Sequence, residues 1–563
     1  MRYFLPFFVL LNSMLSAFDS QEQAKGQMMS DLEFYRATFN SQYAPMEWKN
    51  IYSEWDIDTA IDKAHESINN NSDITVKDYQ RILRDFFQSL GDYHCSILFY
   101  STEVGYFPIQ FRGVGNRFFV SSVDQQFLVK DGKNTAIKPG DEIISYDGKP
   151  FYTVIEEFQK QEFNPILTLT DIANSHRDFS LRMGAAGNLI PKGTVEIVIK
   201  HRANQATKTY KISWLNNIEE ITNIIPKGAK SAQPLKKTAA SEKVRPSRSM
   251  LHPKFYAIQK SPYKLDKDGL GSRESFIPAL GDRTWISNAD TCQFHAYIFK
   301  SPSNKKIGYV RIPHFSGSTK EAAQFREIIQ RFERETSALV VDQVNNPGGS
   351  MFYMYALAGC LANKPMTTPK HQVALTQKEL MESISTLSEM AYAKSPKEYF
   401  GNDIDGYPVT QNLFNEFKKS LEFEVAQWNK GNIYTDPCYL FGVAQIQPDK
   451  VHYNKPILFL INELDYSCGD FLPAILQDNK RATLFGTRTA GAGGFVLEVS
   501  YPNLFGVNFF TYTGSLAQRV DLNPIENLGV HPDVVYTITE DDLIYSYRGY
   551  VSKVLKEVEK MVK

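Results

Sequence analysis

The apolar positions of the chain fall into four successive regimes of spacing. Between residues 20 and 103 the spacing is helical. In "VKDYQRILRDFFQSLGDYH" Tyr79, Ile82, Leu83, Phe86 and Leu90 fall on one helix face, and the stretch closes at Gly91, a residue suited to a helix C-terminus. "DLEFYRATFNSQYAPMEW" carries the same spacing, and "DYHCSILFY" turns to a strand through Ile97, Leu98 and Phe99. Residues 104–215 read as short strands and turns, among them "YFPIQFRGV", "NRFFVSSV", "TVEIVIKHR" and "TKTYKISWL". Within them "KPGDEIISYDGKP" is a loop, a strand and an Asp-Gly turn, with a short helix beginning in "TVIEEFQK", residues 153–160. Over 216–300 the periodicity lapses. "PKGAKSAQPLKKTAASEKVRPSRSM" has seven Lys or Arg, one Glu and few apolar residues, which predicts a linker open to proteolysis rather than a core. From residue 301 strands and helices alternate: "KIGYVRI", a helix "TKEAAQFREIIQRFERE" with Thr319 as its expected N-cap, "SALVVDQV", the turn "NNPGGS", and a helix "MFYMYALAGCLAN". "KPILFLIN", "GDFLPAILQDN" and "RATLFGTR" repeat the alternation, while residues 365–450 follow no single period. Near-continuous apolar strands alternating with helices predict an α/β core whose sheet is mostly parallel and covered on both faces.

Composition narrows the picture. The 563 residues are 42% apolar and 22% charged, the balance of a globular protein, and a net charge of −1 offers nothing to a nucleic acid. Arg2, the apolar run from Tyr3 to Leu15 and small Ser16 and Ala17 predict a secretory signal peptide over residues 1–17, hence export. No later segment has about 20 uninterrupted apolar residues, so the mature chain is expected to lack an integral membrane segment. The five cysteines are scattered and include no Cys-x-x-Cys, so no zinc ribbon, redox pair or disulfide framework is predicted.

Two strand ends carry candidate chemistry. "KPILFLINELDYSCGDF" leaves a buried strand and sets Ser467 and Cys468 side by side before a helix, whose free N–H groups and positive dipole end face that turn. Pro473 suits a first helical turn, which would start the helix near Asp470. The alternative is an ordinary helix cap. "VVDQVNNPGGS" ends a second buried strand in Gly348 and Gly349, which can present bare N–H groups to a ligand where open α/β sheets bind them; a plain tight turn is the alternative. Among ten histidines, His94 in "GDYH", His314 and His531 are the candidates for acid–base work.

Together these stretches resemble the tail-specific (C-terminal-processing) peptidase superfamily. There a strand leads to D-L-R-x-N-x-G-G, another leads to S-x-S-x-x-E, and a PDZ domain lies upstream. Here the first motif is Asp342 to Gly349 and the second is the Ser467 turn, and "KPGDEIISYDGKP" is similar to a PDZ signature. Many bacterial members pair the serine with a lysine. The matching position is Ala492 in "RTAGAGG", so the resemblance excludes a Ser/Lys dyad and turns to the tricorn-like, His-based branch, whose base lies in an L-x-D-x-H segment. That implies Ser467 as nucleophile, His94 as base and Glu526 of "NPIENLGVHPD" as the carboxylate orienting it, in preference to Asp92, Glu463 or Asp533. Backbone N–H groups of Cys468 and of Gly348 or Gly349 would form the oxyanion hole. The family implies a crotonase-like ββα core over 301–563, a PDZ-like insert over 104–215, a helical region over 20–103 carrying the base, and a possible inhibitory segment over 216–300. It implies a secreted serine endopeptidase for protein or peptide substrates with no cofactor and no metal, made as a zymogen that cleaves itself, and a homodimer. The alternative is an inactive peptide-binding protein on the same fold.

Overall fold

The computed structural model describes residues 21–128, 135–164, 167–217, 219, 250–251 and 269–563. The signal peptide expected over 1–17, and nearly all of the basic stretch within 216–268, lie outside these residues. No helix among the described residues is long and apolar enough to cross a membrane.

Where the apolar spacing marks two helical stretches, four helices form: α1 (Gln21–Gln42), α2 (Met46–Ser53), α3 (Ile57–Asn70) and α4 (Val76–Ser89). Polar caps divide them. Asp56 accepts the N–H of Thr59 to start α3, and Thr75 with Asp78 forms a capping box at the start of α4. Tyr79, Leu83 and Phe86 of α4 pack with Tyr35 and Phe39 of α1 and with Phe510 and Tyr512 from far along the chain. Gly91, at φ 57°, ends the helical region. The next strand, Ser96–Phe99, pairs antiparallel with Val507–Thr513, so the loop carrying His94 is tied to the C-terminal half.

In the next unit the strands Ile109–Val114, Arg117–Val123, Glu142–Tyr146, Thr194–Lys200 and Thr207–Ser213 form an antiparallel sheet. The Asp-Gly turn is present, with Asp147 and Gly148 both at positive φ (46° and 78°), the geometry a tight hairpin needs. Helix α5 (Phe151–Glu162) starts two residues earlier than "TVIEEFQK" indicates. The apolar spacing does not reveal α6 (Leu169–Asp178), which has few apolar residues and is fixed at its start by a Thr168–Asp171 capping box.

The core is a seven-stranded sheet whose order in space follows the chain: β1 (Arg283–Ile286), β2 (Ala296–Lys300), β3 (Lys306–Arg311), β4 (Ala338–Asp342), β5 (Ile457–Ile461), β6 (Thr483–Gly486) and β7 (Val534–Val535). The first two pairings are antiparallel and the rest parallel, as the alternation predicts. Alternate residues divide between the two faces. Leu339 and Val341 pack with α7 (Thr319–Glu335) and α8 (Met351–Leu361); Ala338 and Val340 pack with the C-terminal helix, Arg548–Met561. The N-cap of α7 is Ser318 rather than Thr319. Its hydroxyl accepts the N–H of Lys320, and Glu321 completes a capping box that a cap one residue later could not form. The stretch 365–450 holds two long helices, α9 (Gln377–Tyr392) and α10 (Gln411–Asn429), with a five-residue helix, Pro396–Phe400, between them.

Candidate active site

Strands β4 and β5 are adjacent and parallel, with Asp342 level with Leu460, so both motif turns emerge at the same sheet edge. They are bonded to each other along their length. Asn345 N–H donates to Asn462 Oδ1 (2.8 Å), Asn346 N–H to Asp465 Oδ1 (2.9 Å), and Tyr466 N–H to the Asn346 carbonyl (2.8 Å). Asp342 itself is structural: Arg311, Tyr309 and Ser275 occupy its carboxylate.

Helix α11 spans Cys468–Asp478 and begins directly after Ser467, not near Asp470. Pro473 therefore sits inside the helix, and the Gly469 carbonyl loses the N–H that would have met it. Gln343, from the other turn, fills the vacancy: its Nε2 donates to Gly469 O at 2.6 Å.

Ser467 holds φ 59°, ψ −116°, a conformation unfavourable for a side-chain-bearing residue and of the kind that lifts a nucleophile above a strand-to-helix turn. Asp470 maintains it. Its carboxylate accepts the N–H groups of Ser467 (2.8 Å), Gly491 (2.8 Å) and Ala492 (3.0 Å) and the Thr489 hydroxyl. Burial pushes the Asp470 carboxyl up to about 7 against the pull of these four donors. Asp470 stands where the family pattern has glutamate, three places after the serine; that match was the available signal for its role. The Ser467 hydroxyl is fully buried and has no hydrogen-bond partner among the described residues.

His94 lies in the loop after α4. Its backbone N–H donates to Asp92 Oδ1 (2.8 Å), while Asp92 Oδ2 accepts Tyr43 and Thr513 hydroxyls (both 2.8 Å), so Asp92 holds the loop rather than the imidazole. Tyr93 meets Tyr466 edge to face at 5.8 Å between ring centroids, which brings together the residues immediately before His94 and Ser467. Both imidazole nitrogens are buried without a partner among the described residues. Burial lowers the His94 pKa to about 4, Asp92 opposing and Lys49 reinforcing the shift, so the ring is a neutral base.

Glu526 is also fully buried. Oε2 accepts the Gly493 N–H (2.8 Å) and Oε1 faces Lys49 Nζ (2.5 Å), so Glu526 here meets Lys49 and not the His94 ring. Burial and the Asp92 charge push its carboxyl up to about 7 against the pull of Lys49. Sequence reasoning missed Lys49, a single cation in a short helix. The rivals stand elsewhere: Asp533 is engaged by Leu484 and Gln477, Glu463 by Thr487, and His531 is exposed. His314 accepts the Ser316 N–H (3.2 Å).

The Cys468 thiol, pushed well up by burial, is 3.5 Å from the Gly349 carbonyl, so it is a poor thiolate and points at the second turn. Gly348 N–H is bonded to Asn346 Oδ1 (2.9 Å). Gly349 (φ 149°) is in register with Met250 of an antiparallel two-residue strand, Met250–Leu251, laid along Gly348–Gly349. A Cβ at Gly349 would stand 2.2 Å from the Phe315 carbonyl carbon. Gly349→Ala is therefore expected to destabilise the fold by about 3 kcal/mol or more, read by urea denaturation.

A family model for peptidase family S41 matches residues 306–536, and one for the PDZ domain matches residues 103–223. The chain belongs to peptidase family S41 and is a serine peptidase, a hydrolase. It is 32% identical to a Chlamydia muridarum (strain MoPn / Nigg) protein over 569 residues, covering 95% of this chain and 92% of that one. Over 594 residues it is 32% identical to a Chlamydia trachomatis serovar D protein, covering 98% and 96%. The solved structure of mature CPAF complexed with lactacystin matches with a TM-score of 0.82 at 30% identity, covering 96% of this chain and 99% of that one.

Proposed function

We propose that the chain is an exported serine endopeptidase working through Ser467, His94 and Glu526, made as a zymogen held by its own internal segment. One observation carries the reading: a strained, buried serine whose hydroxyl bonds to nothing among the described residues, and a neutral buried imidazole in the same condition, on two turns that meet through Tyr466 and Tyr93. A hydroxyl at an ordinary helix start would cap it. The His94 imidazole takes the Ser467 proton as Oγ attacks the substrate carbonyl. The negative charge that develops on oxygen falls to the N–H groups of Cys468 and Gly349, since Gly348 N–H is already spent on Asn346. The imidazolium returns its proton to the leaving amine, and water then hydrolyses the acyl-enzyme by the same route. Glu526 supplies the negative charge that favours the imidazolium.

A substrate would add as a strand along Gly348–Gly349. Met250–Leu251 occupies that line, which supports a resting state blocked from within; cutting the segment would free it. CPAF was solved with lactacystin, which makes that compound a ligand to try here.

The reading sets a pH profile. Catalysis needs Glu526 ionised and His94 neutral, so kcat/KM is expected to rise through the higher value, about 7. Glu526→Gln is expected to be slow, with a residual acid limb moved down to about 4, the value of His94. A limb that stays put in Glu526→Gln removes Glu526 from the site. Stability carries the matching sign. Glu526 binds its proton more tightly folded than unfolded, so what it contributes is complete below its ordinary 4.5 and is lost as pH rises through about 7.

A further inference from the structure

Lys49 is fully buried, which lysine tolerates only when paired. It lies in α2, outside every motif of the family. Its ammonium donates to Gly91 O (3.0 Å), Glu526 Oε1 (2.5 Å) and Asn527 Oδ1 (2.7 Å). An ammonium has three protons, so none remains for substrate, and Lys49 is no substitute for the lysine absent at Ala492. The three acceptors belong to two loops. Gly91 begins the loop that carries His94; Glu526 and Asn527 belong to the other. Asn527 closes the ring by donating Nδ2 to the same Gly91 carbonyl (2.7 Å), and Trp48, the neighbour of Lys49, donates to the Glu526 carbonyl (3.2 Å). One helix thus fixes both loops from behind.

We infer that Lys49 is a positioning residue of the peptidase site, which sets the Glu526 loop against the His94 loop and holds the Glu526 side chain as a carboxylate. The inference rests on the triad reading above. Two buried carboxylates, Asp92 and Glu526, share this cation, with His94, the Tyr43 hydroxyl and the Cys95 thiol around them. Remove the ammonium and Glu526 takes up a proton at a higher pH, so the charge that favours the imidazolium is lost around neutrality. His94 loses the cation that disfavours its own protonation. Both changes move the acid limb the same way, upward.

The test uses the full chain, brought to complete internal cleavage with a trace of wild-type enzyme, with active sites counted by a fluorophosphonate. In Lys49→Met, kcat per counted site is expected to fall on the order of 10- to 100-fold with KM held within about twofold. The acid limb is expected to rise by about one pH unit or more. Because Lys49 acts on turnover mainly through the Glu526 charge, Lys49→Met in a Glu526→Gln background should lose far less than the product of the two single losses, what remains being an upward shift of the His94 limb. A folded Lys49→Met with unchanged kcat and limb overturns the inference. So does a loss confined to the number of counted sites, which is the mark of a merely structural lysine, or a full multiplicative loss in the double variant. Lys49→Gln, which keeps a donor for Gly91, is read by the same criteria if Lys49→Met shows no cooperative melting. The triad reading fails separately: His94→Ala at wild-type kcat sinks it whatever Lys49 does.

Discussion

Ser467→Ala is expected to lower peptide turnover on the order of 10⁵- to 10⁶-fold and to abolish fluorophosphonate labelling, while making the fold slightly more stable. The two halves have one cause. The Ser467 hydroxyl is buried and bonded to nothing among the described residues, so the native fold carries the desolvation of a polar group with no return until substrate arrives. Alanine removes that burden and keeps the shape, a gain of about 1 kcal/mol in urea denaturation. The backbone strain at φ 59° remains with alanine and is relieved only by glycine, so Ser467→Gly should be the more stable of the two. Cys468→Ala should label like wild type, because a backbone N–H survives the loss of its side chain. Labelling that persists in Ser467→Ala, or vanishes in a folded Cys468→Ala, would reassign the nucleophile.

The second large effect belongs to a residue that never touches substrate. Asp470→Ala is expected to destabilise the protein by about 4 kcal/mol, seen as a lower urea midpoint at unchanged m-value. Four buried donors, at Ser467, Thr489, Gly491 and Ala492, would lose their acceptor at once. Asp470→Asn presents the same shape with one oxygen in place of two and should fall between. If Asp470→Ala melts like wild type, the carboxylate is not what holds the elbow.

Much of this was legible in the chain because β4 and β5 are continuous apolar runs ending in turn residues, and local chemistry dictates both. The Ser467 and Gly348–Gly349 turns follow from that. Less was legible where tertiary contacts decide. Pro473 argues locally for a later helix start, and only Gln343, arriving from another strand, lets α11 begin at Cys468. The helix α6 and the break between α2 and α3 are set by single polar caps that apolar spacing does not register. Ionic partners are the least legible of all. The sequence places Glu526 in a turn-rich segment, but nothing local says that a lysine almost the whole chain away will face it.

The bond from Gln343 to the Gly469 carbonyl joins two places that the chain keeps far apart. A proline inside a helix leaves a carbonyl one turn earlier without its donor, and an amide at the end of a neighbouring strand supplies one. Positions 343 and 473 therefore carry one structural cost between them: the amide is what lets the proline stand inside a buried helix, and the proline is what leaves the amide an acceptor.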